Sequence, residues 1–391
     1  MNNSALRNHM ASLYLHIPFC EHKCIYCDFY SVAPNGAPAH FEALVDRYVH
    51  ALQREIELCA ADERFAASYE TVFFGGGTPS LLSPTQIERI LNLLHRHFRI
   101  DATAEITLET NPGTVDLETL RAFRSLGINR LSMGIQSFHD DDLKFLSRIH
   151  TAEQAKECVR NASRAGFDNV SFDLIFALPS QTPERWESNL QQANELAPQH
   201  ISAYSLIVEP NTQLHRMVQS KQVSPLSLEA DAGLYETTID FFTTQGYEQY
   251  EVSNFALPGF KSRHNSNYWN HSNYLGLGPS AHSFWGHRRW WNVANVVEYS
   301  TRLERNTLPV AGEERLSRGQ LRDEELFLGL RSEGIDVAGF RKRHNSDLFT
   351  EYRQTVDELL RERYAVMRDD RFRLTSRGYL VCDEICASFL S

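Results

Sequence analysis

The sequence lacks any apolar run long enough to cross a bilayer; charged and polar residues interrupt every stretch short of the ~20 residues a spanning helix needs. Its opening, MNNSALRNHMASL, has no apolar core of the kind a secretion signal carries. Positive charge is scarce as well. Against 50 Asp and Glu stand 39 Lys and Arg, a formal net charge of −11, whereas a chain that grips phosphate backbones gathers Lys and Arg on one face. We expect no nucleic-acid partner, no integral membrane segment and a cytoplasmic location. A disulfide framework is also missing. The seven cysteines are an odd number and three are crowded together. Cys59 and Cys158 fall in helical patterns, and Cys382 and Cys386 lie four apart near the end, so packing accounts for these four.

What is present is ample apolar material. At 391 residues and 42% hydrophobic, the chain suits two or three domains around a sizeable core. From residue 11 to 208 short runs rich in Val, Ile, Phe and Tyr (LYLHI, TVFF, EITLE, RLSMGI, VSFDLIF, ISAYSLIV) alternate with helical patterns such as PTQIERILNLLHRHF and TAEQAKECVRNASRAG. Strand, helix, strand in regular order implies right-handed crossovers and a parallel sheet. Six units fall short of the eight that close a barrel, so we expect an α/β partial (β/α)6 TIM-like barrel with its chemistry at the C-terminal ends of the strands.

The first strand runs into HIPFCEHKCIYCDFYS, which places Cys20, Cys24 and Cys27 within eight positions. Four thiolates would close the shell of a structural zinc or an electron-transfer cluster. Three leave one metal position open. A [4Fe-4S] cluster with one free iron, a zinc completed by His16 or His22, and buried thiols are all compatible with the spacing alone. Other polar residues fall at the remaining strand ends: GGGTPS (Gly75 to Ser80), Glu109 in ETNPG, Gln136 in GIQSF, and Asp173, with Arg148 in LSRIH. Taken singly, the glycines are a turn and the charges are solvated. Together they describe a pocket whose glycines let a ligand approach the backbone, whose carboxylates accept from hydroxyls or an ammonium, and whose arginine offers a fork to a carboxylate.

These motifs in this order resemble the radical SAM enzymes. YLHIPFCEHKCIYCDF further resembles the branch that contains oxygen-independent coproporphyrinogen III dehydrogenase and the HemW haem chaperones, and the likeness runs from about residue 12 to the C-terminus. The resemblance implies that Cys20, Cys24 and Cys27 ligate a [4Fe-4S] cluster whose fourth iron takes S-adenosylmethionine. It carries Tyr14, Gly76, Gly77, Thr78, Glu109, Gln136, Arg148 and Asp173 over as S-adenosylmethionine contacts, with Ser205 a weaker candidate. The chemistry implied is electron transfer into the sulfonium, giving methionine and a 5′-deoxyadenosyl radical, fed by an electron donor such as flavodoxin or ferredoxin.

Two features divide the branch. The dehydrogenases carry a further cysteine two positions after the third, where this chain has Phe29; and HNSNYW (His264 to Trp269) matches the HNxxYW motif tied to haem in the HemW group. The resemblance makes His264, Asn265, Tyr268 and Trp269 haem contacts. Taken alone, the same residues read as a turn and core aromatics. His271, His282 and His287 are alternative iron ligands, Arg288 and Arg289 candidate propionate partners, and GLGPSAHS reads as a glycine-rich loop closing the open side of the barrel. Where relatives have glycine before LP, this chain has Ala177. We expect domains over 11–208 (barrel), 209–309 (connecting region with the haem segment) and 310–391, the last resembling the HemN-type C-terminal domain. Helices, a hairpin around RDDRF and a final helix make that domain a small winged-helix-like α+β unit. The function implied is haem delivery to acceptor proteins such as respiratory enzymes, peripheral at the membrane during transfer. The alternatives are coproporphyrinogen III decarboxylation and a haem-degrading radical methyltransferase.

Overall fold

The computed structural model describes residues 11–34 and 38–390. All six expected strands form: β1 (Ala11–Ile17), β2 (Ser68–Gly76), β3 (Arg99–Thr110), β4 (Arg130–Gln136), β5 (Val170–Phe176) and β6 (His200–Ser205). They pair in sequence order and in parallel. Between them run α1 (Pro38–Ala60), α2 (Pro84–His97), α3 (Leu117–Ser125), α4 (Asp140–Phe145), α5 (Ala152–Arg164) and α6 (Pro183–Glu195). Local chemistry sets several of these starts. Ser83 with Gln86, and Thr151 with Gln154, form capping boxes at α2 and α5, and Pro84 and Pro183 occupy first turns where no amide donor is needed. On α2 the buried residues Ile87, Ile90, Leu91 and Leu94 recur at threes and fours, one stripe against the sheet.

β6 stops at Ser205, short of the expected ISAYSLIV run: the Leu206 amide still donates to the Phe176 carbonyl, after which the chain turns away towards Pro210. Past it come α7 (Gln213–Gln219), α8 (Leu228–Thr244), β7 (Glu248–Gln249), β8 (Asn254–Ala256), α9 (Arg263–Trp269), β9 (Tyr274–Leu277), β10 (His282–Trp285), β11 (Arg288–Asn292), α10 (Val296–Glu304) and β12 (Val310–Arg315). The short strands extend the sheet at both edges. β8 lies antiparallel on β6; β9 lies parallel on β1 and is followed by an antiparallel β10-β11-β12 ribbon, giving one open sheet of 12 strands. In the segment read as a glycine-rich loop, residues 278–281 are the turn between the end of β9 and the start of β10, and a Cβ on Gly276 would stand 2.0 Å from the His282 carbonyl oxygen. Glu55 of α1 secures this edge, accepting from the Gly278 amide (2.8 Å), Asn292 Nδ2 (2.7 Å) and the Tyr299 hydroxyl (2.6 Å).

The sheet is curled. Arg130 of β4 is 1% exposed, and burial together with its charge depresses the basicity of both His200 on β6 and His264 on α9, so side chains from distant strands meet in one interior. The C-terminal unit has its own core around Leu326, Leu330, Phe340 and Phe372. It comprises α11 (Arg318–Leu330), β13 (Ile335–Asp336), α12 (Val337–His344), α13 (Leu348–Glu351), α14 (Arg353–Arg361), β14 (Ala365–Arg368), β15 (Arg371–Leu374), α15 (Ser376–Tyr379) and α16 (Cys382–Leu390), with a three-stranded sheet ordered β13-β15-β14. The RDDRF hairpin is present, its tip formed by Asp369 and Asp370 at φ 52° and 59°. No helix among the described residues is long and apolar enough to cross a membrane.

Candidate functional site

The loop leaving β1 carries Cys20, Cys24 and Cys27 as free, partly exposed thiols. Its return is fastened by the Val32 amide to the Pro18 carbonyl (2.6 Å) and the Cys20 amide to Val32 (3.1 Å). Against it lies the end of β2, where the Gly77 and Thr78 amides donate to the Ile17 and Phe19 carbonyls at 2.8 and 2.7 Å. Two glycines permit this approach. Gly76 sits at φ +112°, and a Cβ there would stand 2.7 Å from the His16 ring; on Gly77 it would stand 2.6 Å from the Phe19 carbonyl oxygen and 3.0 Å from Cys20 Sγ. Thr78 Oγ1 donates to Cys20 Sγ and Arg148 Nη1 to Cys24 Sγ, each at 3.6 Å. Arg148 also donates to the Gly134 carbonyl at 2.9 Å, and its buried Nε has no partner.

The donor set suits a cluster with one thiolate per iron. Burial raises the Cys20 thiol and pushes Cys27 up to about 11, so only a strongly cationic centre would hold these thiols as thiolates near neutral pH. A single zinc needs its ligands on one point. Among the described residues no three His, Cys, Asp or Glu side chains are grouped to hold one ion. His16 has both nitrogens engaged, Nδ1 with the Tyr14 hydroxyl (3.1 Å) and Nε2 with the Tyr30 carbonyl (2.8 Å).

Beside the cysteines the interior holds two carboxyl groups. Glu109 Oε2 accepts from the Gly76 amide at 3.1 Å, and burial, then the neighbouring Asp173, push its pKa up to about 8. Asp173 is raised to about 6 by burial, although Ser202 and Ser132 (3.2 Å) donate to it. Burial and Glu109 raise the Tyr14 hydroxyl. Gln136 adopts φ 66°. An ideal Cβ on Gly134 would lie 2.9 Å from its Nε2 and 3.2 Å from Arg148 Nη2, so the two side chains are adjacent. Ser205 is turned to α8, donating to Asp231 at 2.8 Å. The structure therefore brings together Tyr14, Gly76, Gly77, Thr78, Glu109, Gln136, Arg148 and Asp173 around the cysteine loop. Sequence reasoning passed over Arg130 and Ser132, although every second residue of RLSMGIQ is polar or glycine, the trace of a strand with one face inside a ligand-bearing interior.

HNSNYW lies at the other end of the barrel, as α9. His264 is 1% exposed; its amide donates to Glu105 (3.1 Å), Nδ1 meets Thr71 Oγ1 (2.7 Å), Nε2 meets the Tyr268 hydroxyl (2.9 Å), and its ring stacks on Phe73 at 4.8 Å. The Asn265 amide takes part in the Ser262 cap at 3.3 Å. Trp269 borders a cleft of about 1790 Å3 between the N-terminal ends of β2 and β3 and the C-terminal unit. Arg288 pairs with Glu313, and Arg289 with Glu314 (2.8 Å) and Glu324 (2.5 Å), so both expected propionate partners already hold carboxylates.

Residues 14–193 match the Radical SAM superfamily model and residues 316–381 the HemN C-terminal domain model. The chain is 34% identical to the heme chaperone HemW of Lactococcus lactis and covers 97% of each. With that of Bacillus subtilis identity is 33% over 97% of this chain and 99% of the relative. With that of Escherichia coli it is 40% over 69% of each. Among solved structures, coproporphyrinogen III oxidase (HemN) from Escherichia coli, a radical SAM enzyme, superposes with a TM-score of 0.82 at 25% identity, over 98% of this chain and 91% of that one. A thiol loop at the first strand end, a barrel interior lined with carboxyls and full-length likeness to these relatives have one common explanation: the chain belongs to the HemW family of the radical SAM superfamily.

Proposed function

We propose that this protein is a cytoplasmic haem chaperone that carries a [4Fe-4S] cluster on Cys20, Cys24 and Cys27, binds S-adenosylmethionine beside it, and passes haem to acceptors such as respiratory enzymes. The observation that carries the proposal is likeness over 97% of the chain to proteins named heme chaperones. The site supports it. Glu109 and Asp173 are acceptors suited to an ammonium and to ribose hydroxyls, Arg148 lies against Cys24 with a buried, unpartnered Nε, and the glycine turn keeps side chains away from the cysteines. When bound, the cluster supplies an electron for reductive cleavage of S-adenosylmethionine, with flavodoxin or ferredoxin as its source; Tyr14, Gly76, Gly77, Thr78 and Gln136 shape the enclosure. HNSNYW serves haem from the barrel floor.

HemN-like architecture supports a second reading, oxidative decarboxylation of coproporphyrinogen III. Phe29 stands where that branch has its further cysteine, and it is 63% exposed. Anaerobic reconstitution with iron and sulfide, followed by cluster spectroscopy with and without S-adenosylmethionine and by haem titration, tests the first reading. A cluster whose signal responds to S-adenosylmethionine and a stable haem complex are expected. Catalytic formation of protoporphyrinogen from coproporphyrinogen would overturn it in favour of the second.

A further inference from the structure

The cleft beneath the barrel floor plays no part in the cofactor site. At about 1790 Å3 it far exceeds a packing defect. One side is aromatic, with Trp269 at the end of α9 and Phe284 and Trp285 on β10. Arg99 and Arg318 also line it, and neither makes an ion pair among the described residues. His271 stands among them. Its ring lies flat on Phe284 at 4.3 Å, its Nε2 is 3.0 Å from Glu324 Oε2, and its Nδ1 makes no hydrogen bond among the described residues. An imidazole that ligates a metal usually gives its other nitrogen to a carboxylate, which orients the ring and raises its basicity. His271 has a carboxylate 3.0 Å from Nε2, although that nitrogen makes no aligned hydrogen bond. His264 is the reverse, with both nitrogens committed inside the floor.

Building on the haem-carrier reading, we infer that this cleft is the haem site, with His271 as the axial ligand, Trp269 and Trp285 against the porphyrin, and Arg99 and Arg318 as propionate partners. A flat apolar ring would meet aromatic area, two carboxylates two guanidinium forks that carry no ion pair among the described residues, and the iron an imidazole, while Asp101, Glu325 and Asp336 form the acidic part of the same lining. His264 and Tyr268 are then positioning residues, which fasten α9 in the floor so that Trp269 and His271 border the cleft.

The test is titration of the full-length protein with ferric haem, read by Soret absorbance, with circular dichroism to confirm folding. His271→Ala is expected to lose the histidine-ligated spectrum and weaken binding by roughly tenfold or more, with free imidazole restoring the spectrum. His97 and His344 also line this cleft, His344 with Nε2 2.8 Å from Glu325, and His97→Ala and His344→Ala are each expected to leave the spectrum unchanged. Arg99→Glu with Arg318→Glu is expected to weaken binding while keeping the spectrum. A His271→Ala protein that retains both spectrum and affinity overturns the site. So does a folded His264→Ala or His344→Ala protein whose lost spectrum imidazole restores while His271→Ala keeps its own. If the unaltered protein takes up no haem, the haem-carrier reading itself fails, a result distinct from these.

Discussion

At the scale of single residues, buried carboxyls govern how the ligand-free protein responds to pH: Glu109 is raised furthest, and Glu55 and Glu251, each raised to about 7, act in the same sense. Folding raises Glu109 from 4.5 to about 8, so between those values the folded state binds more protons than the unfolded one, and stability falls as pH rises. His16, lowered to about 4, and His264, lowered to about 3, act in the opposite sense, but only below their unfolded value of 6.5. Between about pH 6.5 and 8 the Glu109 effect is therefore free of theirs. We expect the melting temperature of the ligand-free protein to drop across that window and Glu109→Gln to flatten the drop; an unchanged slope in that variant would count against the burial argument. Ala177 gives a second residue-scale test. It holds φ 59°, in the left-handed region that favours glycine, and it is 6% exposed. A left-handed alanine costs about 1–2 kcal/mol, against the roughly 0.4–1 kcal/mol that glycine loses through unfolded-state entropy. The Ala177 methyl is part of the buried core and contributes about 0.8 kcal/mol, so Ala177→Gly should change stability by less than about 1 kcal/mol in chemical denaturation.

At the scale of elements, what was legible in the sequence followed length. β2 and β3, of 9 and 12 residues, show themselves by apolar runs bounded by turn residues, and the cysteine loop by spacing. β7 and β13, with 2 residues each, and β8, with 3, have no period to read, because two or three positions cannot display an alternation. The ribbon strands β9 to β11 were hidden behind glycine, which marks loops and close strand packing alike. Glu55 was invisible for another reason: in sequence it is one more acidic residue in a helix, and only folding places a backbone amide, an asparagine and a tyrosine on its carboxylate. Burial raises it to about 7, which those three donors counteract. Glu55→Ala strands three buried donors and should cost about 2–4 kcal/mol in urea denaturation. Glu55→Gln keeps one acceptor and should cost about half as much. Equal losses for the two would mean that the side chain acts by volume.

At the scale of the whole molecule, the barrel has two working ends. The cysteines, the glycine turn and Arg148 gather where the parallel strands finish, whereas α9 and the large cleft lie where β2 and β3 begin. Between them stands a polar interior, from Glu109 and Asp173 through Arg130 to Glu105 and His264, whose order is not legible along the chain because its members come from different elements. The hydrogen bonds around the cysteines run to Thr78, Ser147, Arg148, α7 and α10, and none of those around α9 involves the cysteine loop. Loss of the cluster therefore leaves the floor intact. A protein with Cys20, Cys24 and Cys27 all changed to serine should show no cluster absorption and no response to S-adenosylmethionine, yet bind ferric haem within about twofold of the unaltered affinity, a difference of about 0.4 kcal/mol. A large loss of haem affinity in that folded variant would place haem at the cysteine end, against the mouth of the barrel, and would require the two ends to be one site.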